Sequence, residues 1–131
     1  METLNLTAAW LGFLVGMLGG AVRGLFFHRE DWLGGYGTWA RRLLRLGHIS
    51  LFGLAIINLA FDLTAHRMGW RIPEQAGPRA ASLLLVAGAV LMPVVCCLAA
   101  WQRPLRFLFP LPVLSLAGGV VVVLWTLVSG P

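Results

Sequence analysis

Charge is what this sequence has least of. Only 11% of its 131 residues are charged, lysine is absent, and five acidic residues stand against ten arginines. A soluble domain of this size carries roughly 25% charged residues. There is too little polar surface here to cover a globule in water. With 59% hydrophobic residues and a mean hydropathy of +0.83, a bilayer is the natural solvent. The scarcity of carboxylates leaves no acidic metal cluster, and no nucleophile–base pair or phosphate-binding loop is present. The sequence therefore predicts a protein that is not an enzyme and has no metal site. Cysteine is nearly missing as well. Cys96 and Cys97 are adjacent in an apolar run, which rules out a disulfide framework and the CxxC spacing of metal and redox sites. Membrane mercury carriers use vicinal cysteines with a relay of further thiols, and no such relay exists here. Both cysteines read as small, buried and inert.

The net charge of +5 would suggest nucleic acid in a soluble protein. Here the arginines stand at the ends of apolar runs, where they anchor helices and set their orientation. No basic face or aromatic platform accompanies them, so nucleic-acid binding is not expected.

What is abundant is apolar sequence in runs of membrane length, about 20 residues for about 30 Å of hydrocarbon. Four spans are expected, at about 6–27, 43–63, 80–101 and 108–128, in one all-α domain covering residues 1–131 as an integral membrane four-helix bundle. Span one is not expected to be a secretory signal, because it lacks a basic leader and Glu2 is the only charge before Arg23. Between spans two and three lies the most polar segment, "HRMGWRIPEQAGPR", whose Pro73, Gly77 and Pro78 are expected to break any helix. Pro110 and Pro112 fall in the first turn of span four, where a missing N–H costs least.

Arginine counts give an orientation. Arg29, Arg41, Arg42, Arg103 and Arg106 belong to loops one and three, with Arg23 and Arg45 snorkelling toward them. The second loop holds Arg67, Arg71 and Arg79. This bias places loops one and three in the cytoplasm and both termini outside.

Packing signals are rich. Gly12, Gly16, Gly20 and Gly24 recur every fourth residue in span one, a ridge that lets backbones approach closely in lipid. Gly118 and Gly119 offer a weaker counterpart in span four. On span two, Arg41, Arg45, His48, Phe52, Ala55, Leu59, Asp62 and His66 share one stripe at about 100° per residue, with Asn58 to one side. Polar residues within a span face protein or a water-filled cavity. This stripe is polar only at its ends, which argues against a continuous ion path.

His48 lies three residues past Arg45, about 4.5 Å deeper by helix rise. It reads first as a neutral imidazole bonded to a neighbouring helix. Alternatively, with His28 on the same side, it would ligate a b-type haem, or sense protons. Of the remaining motifs, Glu30 and Asp31 in "HREDW" offer themselves as ion-pair partners for Arg23 or Arg41. Trp32, Tyr36 and Trp39 in and around "LGGYGTW" suit the headgroup region.

"GGAVRG" echoes the first helix of small fluoride channels, but the third-span break those proteins need is missing. Small multidrug exporters need a glutamate embedded in span one, and none exists. The pieces "GMLGGAVRG", "WARRLLRLGH" and "FPLPVLSLAGG" resemble a family of small four-helix bacterial membrane proteins of unknown function. That layout has a glycine-rich first helix, an aromatic loop and a histidine early in span two. The resemblance implies the fold and a bacterial inner-membrane location, and it implies no activity. Span three lacks the serine–glycine pattern of that family. The expected role is a non-enzymatic scaffold or accessory subunit whose partners are the lipid bilayer and other membrane subunits or further copies of itself, with no cofactor. The alternatives are a haem b electron-transfer subunit using His48 and His28, and a small oligomeric transporter or channel resting on the glycine ridge and Asn58. Arg45 and Asp62 complete the candidate polar network.

Overall fold

Lipid offers no partner for a backbone N–H or C=O, so an apolar run that enters it closes its own hydrogen bonds as a helix. The computed structural model describes residues 3–26 and 28–130. It has helices α1 (Leu4–Gly24), α2 (Trp39–Met68), α3 (Ala76–Trp101) and α4 (Pro110–Ser129), with no strand among the described residues. Short 3-10 segments at Trp32–Gly34 and Arg103–Leu108 precede α2 and α4. All four helices are long and apolar enough to cross a membrane.

The helix ends differ from the expected spans for local reasons. α1 stops at Gly24, and Phe27, the expected end of span one, lies outside the described residues. α2 has 30 residues, which at the α-helical rise is about 45 Å, so its arginine-rich start and its polar end extend beyond the apolar stretch. α3 begins at Ala76 and contains Gly77 and Pro78, contrary to the expectation that they break any helix. Pro78 occupies the third helical position, where the first four N–H groups have no intrahelical partner in any case. Pro93, by contrast, sits inside α3.

α2 ends in a capping motif legible in "HRMGW". Gly69 takes the left-handed conformation at φ 66° and donates to the His66 carbonyl at 3.2 Å, while Trp70 donates to the Ala65 carbonyl at 2.9 Å. That is the paired Schellman arrangement, which turns the following residue back onto the helix. Trp70 is accordingly buried and joins Phe61, Ala65, Ile72, Ala81 and Leu85 in a core cluster at this end, with Leu116, Val122 and Val123 of α4 packed against it.

The helices form a row. α1 packs on α2, α2 on α3 and α3 on α4, and α1 touches α3 less extensively. A pairing of α1 with α4, which would close a square bundle, is not among the principal packings. Large apolar side chains line both outer faces, such as Trp10, Leu14 and Leu18 on α1 and Leu114, Val121 and Trp125 on α4. Between α1 and α3 the row leaves an apolar groove of about 380 Å³, whose walls include Val15 and Val90 and whose floor includes Ala55.

Candidate functional site

The glycine ridge of α1 and the stripe of α2 are two halves of one contact. A Cβ added to Gly12 would lie 3.0 Å from the Ala55 methyl, one on Gly16 would lie 2.8 Å from the Phe52 ring, and one on Gly20 would lie 2.9 Å from His48 Nε2. Ascending glycines meet descending stripe residues, as antiparallel neighbours must. Without hydrophobic drive in lipid, this approach supplies the dispersion contacts that hold the pair. Gly24 does not share the contact, since nothing lies within 4 Å of its Cβ position. At the α3–α4 contact, a Cβ added to Gly119 would lie 2.9 Å from Leu85 and one on Gly118 3.6 Å from Leu84, while Gly77 and Gly88 of α3 are packed as closely against Thr126 and Leu116.

Gly20 also explains where the His48 ring goes. The imidazole fills the space a side chain would occupy, and its Nε2 lies 2.9 Å from the Gly16 carbonyl oxygen. A carbonyl only accepts, so Nε2 carries the hydrogen and donates it, leaving Nδ1 unprotonated in the neutral ring. Phe52 meets the imidazole edge-on at 5.3 Å. His28 is exposed beyond the end of α1, with no hydrogen bond or ring contact to His48 among the described residues.

Deeper in the row, Asn58 is fully buried and belongs to a three-helix clasp. Asn5 of α1 donates from Nδ2 to Asn58 Oδ1 at 2.8 Å, and Ser82 Oγ of α3 donates to Asn5 Oδ1. Asn58 donates in turn to the Leu54 carbonyl of its own helix at 2.9 Å. Asn5, Asn58 and Ser82 are 1%, 0% and 0% exposed, so each polar atom must find its partner inside the protein. Sequence reading missed Asn5 and Ser82. The signal for Asn5 was weak but real: an amide two residues into an apolar helix.

At the other end of α1 the arginines gather around aromatic rings. Arg23 donates to the Gly19 carbonyl at 2.9 Å and, across the helix pair, to the Leu44 carbonyl. Arg41 is 5% exposed, donates to the Glu30 carbonyl at 3.2 Å, and lies over Trp32 and Tyr36 at 5.5 and 5.2 Å. Arg45 lies over Tyr36 at 4.3 Å. Glu30 and Asp31 do not pair with Arg23 or Arg41, contrary to expectation. Asp31 pairs with Arg29 at 3.9 Å, and Glu30 meets Arg41 through its backbone oxygen alone.

Asp62 is half-buried at the opposite end of α2, beside His66 and Trp70 in a concavity of about 230 Å³. Cys96 is buried against Gly47, but Cys97 is exposed. The two diverge because consecutive helical residues point about 100° apart. No group of three or more metal-ligating side chains occurs among the described residues. No family model, curated protein or solved structure matches the chain.

Proposed function

We propose that this protein is a non-enzymatic scaffold or accessory subunit of a membrane complex. The observation that carries the reading is how its membrane-level polar side chains are spent. His48 bonds the Gly16 carbonyl, Arg23 the Leu44 carbonyl, Trp39 Nε1 the Ala99 carbonyl at 2.8 Å and Ser115 the Leu84 carbonyl at 2.7 Å. Asn5, Asn58 and Ser82 bond one another. Groups held this way fasten helices and are not free to bind or transform a substrate. The row also leaves α1 and α4 with apolar outer faces toward lipid or a neighbouring subunit. The same reading places the chain in a bacterial inner membrane, with loops one and three cytoplasmic and both termini outside.

A haem b subunit is the alternative with a named ligand. It finds less support, because a haem on His48 Nε2 would have to displace the Gly16 carbonyl and enter where Gly20 leaves room only for the ring. Purification in mild detergent from haem-replete cells, with mass and visible absorbance measured together, tests the choice. The expected result is a colourless preparation with other membrane chains in fixed stoichiometry. A Soret band lost in His48→Gln would overturn it, and a homo-oligomer free of other chains would favour the channel reading.

A further inference from the structure

The arginines at the α1–α2 turn carry an inference that does not depend on the scaffold reading. Arg23, Arg41 and Arg45 border one small cavity with Trp32, Tyr36 and Leu44. Two of the guanidiniums, of Arg41 and Arg45, lie over the Tyr36 ring. The ion pairs among the described residues are Arg29–Asp31 and Arg71–Glu74, so none of these three is ion-paired. Ring faces attract cations, but they carry no net charge. Three positive charges are thus collected at one place with no carboxylate paired to any of them.

Their position limits what can supply it. Arg23 is in the last turn of α1, Arg41 and Arg45 are in the first two turns of α2, and Trp32 and Tyr36 lie in the turn between. In a chain that spans a bilayer, this is headgroup depth, where tryptophan and tyrosine concentrate. Basic pockets at such helix ends bind anionic headgroups, and guanidinium matches a phosphate oxygen pair in two parallel hydrogen bonds. Arg23 and Arg41 already donate to backbone carbonyls, whereas Arg45 donates to no protein acceptor among the described residues. The enclosed space is only about 20 Å³, too small for a phosphate, so the ligand lies on the rim, at Arg45, which is only half-buried.

We propose that Arg23, Arg41 and Arg45, which border one cavity with Tyr36 and Trp32, form a site for the phosphate of an anionic phospholipid, with Arg45 making the direct contact.

The test is native mass spectrometry of the detergent-solubilised protein with equal amounts of phosphatidylglycerol or phosphatidylcholine. One arginine near an anionic surface contributes enough for about a fivefold preference. Wild type should hold phosphatidylglycerol by at least that factor. Arg45→Gln should lower the preference about fivefold, and Arg67→Gln, at the opposite end of α2, should leave it intact. Tyr36→Leu keeps every charge but removes the shared ring; it should also lower the preference, and it serves if Arg45→Gln does not assemble. Equal binding of the two lipids by wild type, or equal loss in Arg67→Gln, would overturn the proposal. Displacement of bound phosphatidylglycerol by an equal concentration of inorganic phosphate would show a soluble-anion site and overturn the assignment to lipid.

Discussion

Asn58→Leu probes the clasp at its centre. The substitution nearly conserves volume but removes the acceptor of the 2.8 Å bond from Asn5 and the donor to the Leu54 carbonyl. The Leu54 carbonyl lies inside α2 and keeps its helical partner, so that loss is minor. Asn5 fares worse: its Nδ2 is left with the Ser82 carbonyl at 3.5 Å, in a place where no water reaches. A buried donor deprived of its partner costs about 1–3 kcal/mol, whereas polar contacts between membrane helices average about 0.6 and reach about 1.7 kcal/mol. Complete enclosure puts this site toward the upper end, so Asn58→Leu should destabilise the protein by about 1.5 kcal/mol. Asn5→Leu should cost at least as much, since it also removes the acceptor of Ser82. The double variant should then lose less than the two singles together, by about 1 kcal/mol. Unfolding free energies from detergent titration in bicelles would measure all three. Additivity within about 0.3 kcal/mol would show that the two amides do not depend on each other, and a stabilised Asn58→Leu would mean the clasp is a net burden.

Three further outcomes follow from the packing and the charge. Gly16→Leu and Gly20→Leu should each cost about 2 kcal/mol or more, because Phe52 and His48 already occupy the space; Gly24→Leu should be silent in the same thermal assay, and equal damage from all three would contradict the local contact. His48→Gln, whose amide can still donate to the Gly16 carbonyl, should melt near wild type, and His48→Leu should lose about 0.6 kcal/mol; a glutamine variant worse than leucine would refute the hydrogen-bond role. Single cysteines in the 66–78 loop, in a chain otherwise without cysteine, should react with an impermeant reagent from outside while those at 30–38 should not, and the reverse pattern would invert the orientation.

Much of the architecture was readable because lipid leaves a long apolar run few options. The ridge and the stripe were both visible as periodicities, yet neither says which faces which. Matching Gly12 with Ala55, Gly16 with Phe52 and Gly20 with His48 requires α1 and α2 to be antiparallel neighbours in a specific register. The clasp was harder. Asn58 stood out as an amide in mid-span, but Asn5 fell one residue before the expected span, and Ser82 sits inconspicuously among alanines; their burial depends on a third helix 77 residues along from Asn5. The arginine cluster was read as anchors and an ion-pair site. Its gathering around Tyr36 depends on a turn in which Leu33, Gly34 and Gly35 all take positive φ, a backbone path that side-chain chemistry alone does not prescribe.

The row arrangement bears on how the protein is made. The strong packings all join helices consecutive in the chain, so each span from the second onward meets a partner already in the bilayer as it leaves the insertion machinery. Contacts between neighbours in sequence close quickly because little chain has to be looped. The exception is Asn5. Its amide enters first, but its partners on α2 and α3 arrive one and two helices later, so it can be fully bonded only once the third span is in place. Ser82 therefore acts as the latch of the assembly, and the first moment at which the N-terminal half can lock is set by the arrival of α3.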